Sequence, residues 1–446
     1  MTSLPILDDG NPGLFAGLLL VVIFSLLGLQ WIVTTSKSRV LASMEIQLFL
    51  AAVSVRFAAS VALYLFGIAV IVGDEDASGW VNGIGFYNEW IGRGYSVIDL
   101  PSLLLQGYSS SSGAGDSYIG YHYLLAGLFL VTDIPARLSA AALSNLCGGL
   151  TVVLIYRTCS LLFSDWVAVR TAWMICLLPS MILWGAQTIK EPVVLFLEVA
   201  TLYGCVRLQH ARFTPGIVAA IALPLLALVP LRFYVVYVLG GALLVAFLLS
   251  YARSRKTKLG AALAVVTCVV PVLVSSGVLA RDRAMLAKYD LKRIQLIREY
   301  DYHTSGSGVR WNYDMSTREG QTMSVVNGVA DFFLAPLPWH MSGGSFRMLV
   351  TLPEALTWWA LIVWGLWPGL KHLVRQRFEH VQILVLFTVG MSLVYGSTFY
   401  NIGLAYRQRS QVVPWIVMFA LVGLEQRLLR TRNAKAMVPT VARSFA

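Results

Sequence analysis

The chain has 446 residues, of which 57% are apolar and only 13% charged, roughly half the charge of an ordinary globular protein. That excludes a soluble enzyme, a disordered chain and a secreted disulfide scaffold, and the long unbroken apolar runs exclude a transmembrane β-barrel, whose strands alternate. The net charge of +11 falls mainly in short loops between apolar runs, the bias that orients membrane proteins, so no nucleic-acid partner is expected.

In chain order, apolar segments lie near 14–34, 46–72, 118–131, 138–162, 167–186, 192–208, 215–230, 233–251, 259–279, 353–370, 381–398 and 411–426. Crossing a hydrocarbon core takes about 20 helical residues. The 118–131 segment has about 14 and is too short. Were it a span, Arg207, Arg212 and the Arg253–Lys258 cluster would face outward, against the charge rule. Placed outside as a juxtamembrane helix, it leaves every short basic loop inside. The expectation is an all-α polytopic membrane protein of about 11 transmembrane helices, N-terminus outside and C-terminus inside. Residues 1–13 have no basic stretch, so the first span is read as retained rather than as a cleaved signal. Arg56 and Arg170 fall within spans near their cytoplasmic ends, where snorkelling is the ordinary expectation. The five cysteines lie in or beside apolar spans with no C-x-x-C pair, which points to small apolar residues rather than zinc ligands or disulfides.

This topology divides the chain into an N-terminal transmembrane module (1–279, with a first external loop at 73–137), a second extracytoplasmic loop (280–352) and C-terminal helices with a basic cytoplasmic tail (353–446). The first external loop is acidic. The second opens with a charged, weakly amphipathic stretch and ends in the apolar 331–339 segment. Cytoplasmic loops are short and no Walker A sequence occurs, so chemistry, if present, belongs to the outer face, where nucleotide donors are absent.

Three constellations stand out. Asp74, Glu75 and Asp76 follow the end of a span. Three adjacent carboxylates repel one another and suit a general base or a divalent-metal ligand, although a solvated acidic helix cap fits the same residues. Trp80 and Tyr87 lie on an aromatic stretch that either anchors at the interface or lines an acceptor groove. Lys190 and Glu191 form a short outer turn before Pro192, as a hairpin cap or a phosphate-binding cation. Asn401…Arg407-Gln408-Arg409 places two arginines outside against the charge bias. With Arg232 at the outer end of another span, they offer planar forks for phosphate oxygens, a donor site or simply lipid headgroups.

The order of these features resembles the GT-C superfamily of membrane glycosyltransferases, which includes protein O-mannosyltransferases and lipid A aminoarabinose transferases. A carboxylate cluster follows a span, then come a juxtamembrane helix, a span reading Ala136-Arg137-Leu138…Asn145…Gly148-Gly149…Tyr156-Arg157, and a span ending Pro179…Trp184 before a second external turn. Farther on, Ala335-Pro336-Leu337-Pro338-Trp339 and Asn401-x-Gly403…Arg407-x-Arg409…Pro414 resemble uncharacterised membrane proteins of exopolysaccharide clusters. An extra span before the carboxylates and the lack of an external globular domain after the last span depart from the pattern. The resemblance implies transfer of a sugar from a polyprenyl-phosphate donor to a glycan or lipid acceptor at the outer face of a bacterial inner membrane. Asp74, Glu75 and Asp76 would be catalytic, with Asp74 and Asp76 as ligands should Mg²⁺ or Mn²⁺ be used. Lys190, Arg232, Arg407 and Arg409 would hold the donor phosphate, and Trp80, Tyr87, Trp339 and Asn401 would contact substrate. Two alternatives stay open: a lipid-linked polysaccharide polymerase or ligase, which needs the arginines but not the carboxylates, and a polysaccharide or lipid transporter.

Overall fold

Leucine, valine and alanine dominate runs too long for any strand, and the chain satisfies its backbone polar groups helix by helix, as a bilayer demands. A computed structural model describes residues 13–68, 76–110, 119–210, 214–251, 296, 299, 313–314, 316–337, 346–397 and 401–437. These residues form α1 (Leu14–Thr35), α2 (Arg39–Leu65), α3 (Asp76–Gly92), α4 (Leu100–Ser110), α5 (Ile119–Thr132), α6 (Arg137–Leu162), α7 (Asp165–Leu177), α8 (Pro179–Gly185), α9 (Glu191–His210), α10 (Pro215–Tyr251), α11 (Arg318–Leu334), α12 (Phe346–Leu361), α13 (Trp367–Gln376), α14 (Phe378–Ser397), α15 (Ile402–Arg409) and α16 (Val413–Met437). No β-strand occurs among the described residues.

Among the described residues five helices are long and apolar enough to cross a membrane, and up to seven spans result if the bent pairs α7–α8 and α15–α16 each count as one. The all-α expectation holds among the described residues, which do not by themselves give the number of spans in the whole chain. The segments 215–230 and 233–251 fall within one 37-residue α10, broken at Arg232, and the 259–279 segment lies outside the described residues. The short 118–131 segment is indeed a helix of 14 residues, α5.

The centre of the bundle is α6. Its Ser139–Ala142, Ser144, Gly148 and Gly149 are buried, and such small residues let neighbouring helix backbones approach closely without a hydrophobic driving force. It packs against α1, α2, α7 and α9. Contacts sort the helix ends into two poles. At one, Arg157 grips Glu45 in a two-pronged bond, Nε to Oε1 at 2.9 Å and Nη2 to Oε2 at 2.6 Å, beside Ser36. Arg377 donates to the Leu162 carbonyl at 3.0 Å and Ser164 bonds Glu425 at this same pole. At the other, Ala136 packs on Gly13 and the Thr188 amide donates to Tyr64 Oη at 3.1 Å.

Arg56 departs from the snorkelling expectation. It is 1% exposed and its side chain passes between Gly148 and Gly185, where a side chain at either glycine would come within 2.7 Å of it. Its guanidinium donates to the carbonyls of Ala52, Cys176 and Ile175 at 3.1, 3.4 and 3.3 Å. The last two are freed where α7 bends by 57° into α8: Pro179 has no N–H to offer the Ile175 carbonyl, and the Ser180 amide that would meet Cys176 donates instead to Glu354 at 2.7 Å. A cation at a helix C-terminus is also favoured by the macrodipole. Arg170, by contrast, is exposed and lies over the Trp166 ring at 4.1 Å.

Candidate functional site

The site grows from the turn between α8 and α9. Residues Gln187, Thr188, Ile189 and Glu191 are buried there, and the turn is fixed from α2, where Ser60 Oγ donates to the Ala186 carbonyl at 2.6 Å. Glu191 opens α9, so its carboxylate meets the positive end of that helix. Arg232 reaches it from the break in α10. Pro230 removes a backbone donor just before the break, and Arg232 itself adopts an extended φ of −155° and ψ of 79°. Its Nη2 meets Glu191 Oε1 at 2.6 Å with both side chains 3% exposed. Arg407, on α15, brings its Nε to 3.2 Å from the same oxygen, and Lys190 adds a third positive charge to the field at Glu191.

A second layer continues inward. Arg232 Nη1 donates to Tyr395 Oη at 2.9 Å, and Tyr234 Oη lies 3.3 Å from Tyr395 Oη. The amide of Gln411 is oriented by its neighbours: its nitrogen belongs beside Glu198, because a carbonyl oxygen there would face a carboxylate. So placed, it donates to Glu198 Oε1 at 2.7 Å, and its oxygen accepts from Arg232. Glu198 is fully buried, seven residues after Glu191 and hence on the same face of α9. Polar groups from α9, α10, α14, α15 and the link into α16 thus form one continuous network.

Arg409 takes a different place. Its Nη2 donates to the Ala335 carbonyl at 2.7 Å, with the rings of Tyr406 and Trp358 at 4.7 and 5.7 Å, which locks α15 to the end of α11. Asn401 caps α15, its Oδ1 accepting from the Gly403 and Leu404 amides at 2.8 and 3.3 Å, as Asn at such a position does.

Of the other residues singled out from sequence, Asp74, Glu75 and Trp339 lie outside the described residues. Asp76 opens α3, and the first turn of that helix is set against the site. A side chain at Gly79 would come within 2.9 Å of the Thr188 carbonyl oxygen, so only glycine permits this approach. Trp80 is half-buried, and Arg137 spans from the Tyr64 ring at 4.3 Å to the Trp80 ring at 5.9 Å. Tyr87 lies two turns beyond Gly79 on the same face of α3. It is buried between α3 and α5, where its hydroxyl donates to Asp133 Oδ1 at 2.6 Å. Burial, with that carboxylate beside it, pushes its phenol up to about 12.

Sequence reasoning treated Glu191 as a hairpin cap and gave no role to Tyr395 or Gln411. Glu191 and Glu198 did carry a signal, two carboxylates spaced i,i+7 on an apolar helix. No protein-family model matches the chain, and no curated protein matches it either. The identity of the site therefore rests on its own chemistry. Among the described residues no group of three or more His, Cys, Asp or Glu could hold a metal ion. One carboxylate shared by two arginines beside a lysine does not fit a divalent cation; it fits an anion with several acceptor oxygens.

Proposed function

We propose that this chain is a GT-C-type membrane glycosyltransferase that moves a sugar from a polyprenyl-phosphate donor to an envelope or exopolysaccharide acceptor at the extracytoplasmic face. The observation that carries the reading is the seating of the first turn of α3, which opens with Asp76 and follows Asp74 and Glu75 in sequence, against Thr188. Lys190 and Glu191 follow Thr188 in the chain, and Arg232 and Arg407 meet Glu191. Anionic and cationic groups far apart in sequence would then face one pocket.

In the proposed reaction Asp74 or Asp76 takes the proton from the acceptor hydroxyl as its oxygen bonds to the anomeric carbon. The bond from that carbon to the donor phosphate oxygen breaks, and the phosphate leaves with its electron pair. Arg407, the more exposed of the two arginines at Glu191, and Lys190 would stabilise the charge that grows on the phosphate, the kind of preorganised electrostatic effect that is largest in a site shielded from water. Arg232, held by Glu191, Tyr395 and Gln411, positions the cluster. Arg409 is read as a positioning residue through its bond to Ala335.

Purified chain reconstituted with a panel of labelled polyprenyl-phosphate sugars tests this. Loss of donor and appearance of product are expected, with Asp74→Asn and Asp76→Asn abolishing both while inserting normally. Wild-type turnover in both variants removes the base assignment and leaves the polymerase or ligase reading, in which Arg407→Gln alone is damaging. Glu198 favours a second reading, because a fully buried carboxylate within a membrane bundle is a common mark of a transport pathway. Donor-independent movement of substrate across vesicles, lost in Glu198→Gln, would identify a transporter.

A further inference from the structure

The pole opposite the cluster carries a surface that the catalytic reading does not use. The π-turn Ile362–Leu366 leads into α13, whose Gly369 and Leu373 are buried against α16. Gly369 is so close to that helix that a side chain there would overlap the Phe419 carbonyl. Pro368, Leu370 and His372 are partly buried, and the exposed residues of α13 divide into two stripes. Trp367 and Val374, seven residues apart, are 73% and 53% exposed. Lys371 and Arg375, four apart, form a basic stripe alongside. Helix α16 runs beside it and adds exposed Arg427 and Arg430, together with Leu428 at 51% exposure.

Lys371, Arg375, Arg427 and Arg430 make no ion pair among the described residues. Glu425, on α16, is bonded to Ser164, and Glu379 lies in the first turn of α14. His372 faces Arg377 and Arg430, so the stripes of the two helices adjoin. Arg377 is already spent on the Leu162 carbonyl.

We propose that α13 and the exposed end of α16 form a binding surface for anionic phospholipid headgroups in the leaflet at this pole. The cations account for attraction to phosphate, but a soluble phosphate or an acidic peptide would leave Trp367, Val374 and Leu428 in water. A lipid covers both: its phosphate meets the basic stripe while its acyl chains cover the apolar one, the arrangement of a helix lying at the headgroup boundary. A tryptophan at that depth is the usual interfacial anchor.

The test uses the full purified chain in nanodiscs of phosphatidylcholine alone or with one third phosphatidylglycerol, with lipid retention by native mass spectrometry as the readout. Preferential retention of phosphatidylglycerol is expected, weakening about fivefold for each of Lys371→Gln, Arg375→Gln, Arg427→Gln and Arg430→Gln. That factor corresponds to about 1 kcal/mol per basic residue at a membrane surface. The preference should shrink as salt rises, and Trp367→Gln should weaken it without altering any charge. Equal retention of both lipids, or an undiminished preference in the fourfold variant, overturns the proposal. So does competition by inorganic phosphate as effective as that by phosphatidylglycerol, since it would show that the apolar stripe contributes nothing. The readout does not involve sugar transfer, so it stands or falls apart from the proposed activity.

Discussion

Arg232 and Glu191 meet at 2.6 Å where neither side chain is more than 3% exposed, and Arg407 closes on the same carboxylate oxygen at 3.2 Å. Removing one partner of such a buried pair leaves an uncompensated charge, which costs about 3–5 kcal/mol. Glu191→Gln, which strands two arginines, is therefore expected to lower the unfolding temperature markedly. Arg232→Gln leaves Glu191 with Arg407 and should cost less. In the double variant the two losses should fall well short of additive, because each single change already breaks the same pair. Thermal unfolding of the four proteins in one detergent measures this; strict additivity would mean that the pair carries no coupling.

Gly79 tests the approach of α3 to the α8–α9 turn. With 2.9 Å between a new methyl and the Thr188 carbonyl, Gly79→Ala must push two backbones apart by a few tenths of an ångström, and Gly79→Val by more. Sugar transfer should fall in that order while the unfolding temperature changes little, because α3 contributes less to the bundle than α6 does. Full activity in Gly79→Val would show that this contact does not align the acidic segment with the cluster.

Much of the scaffold was legible because it depends on local pattern. The runs at 14–34 and 138–162 became α1 and α6 almost residue for residue, and the short 118–131 segment became the 14-residue α5. The break at Arg232 was legible as the gap between the apolar segments 215–230 and 233–251, but its outcome, one long broken helix, depended on the helices packed against each half. Asn401 looked like a substrate contact beside two arginines, although Asn followed by Gly two residues later is also what an N-cap looks like. The cluster itself was only half visible. Arg232 and Arg407 stood out as charges in the wrong place, whereas Tyr395 and Gln411 carry no local pattern and join Glu198 only through tertiary contact. Arg56 was misread for a related reason: nothing in its own helix shows that α7 ends beside it with unsatisfied carbonyls.

Tyr87 should make the docking of α3 on α5 sensitive to alkali. Its phenol is raised from an ordinary 10 to about 12, so the folded state favours the protonated form. The associated stability is complete below pH 10 and is lost as pH climbs from there toward 12. Unfolding temperature measured from pH 8 to pH 11.5 should therefore fall more steeply in the parent than in Tyr87→Phe, which has no proton to lose. At pH 8 the variant should be less stable by about 1 kcal/mol for the missing bond to Asp133. Parallel pH profiles would assign the alkaline loss to other tyrosines.

The two poles make the sharpest prediction about orientation. Tyr395 stands 18 residues beyond Arg377 along α14, roughly 27 Å at 1.5 Å per residue, close to the thickness of a hydrocarbon core. The basic pole and the Glu191 cluster should thus lie at opposite faces of the membrane. Cys147, Cys159, Cys176 and Cys205 are buried, so with Cys268→Ser as the parent the background of thiol labelling is low. Glu75→Cys and Gly403→Cys, the latter exposed at the start of α15, are both expected to react with a membrane-impermeant maleimide on intact cells. Arg375→Cys and Arg430→Cys should react only after permeabilisation, as the concentration of positive charge at that pole requires. Labelling of residues 75 and 403 from opposite sides would separate the acidic segment from Arg407 by the whole bilayer and end the glycosyltransferase reading.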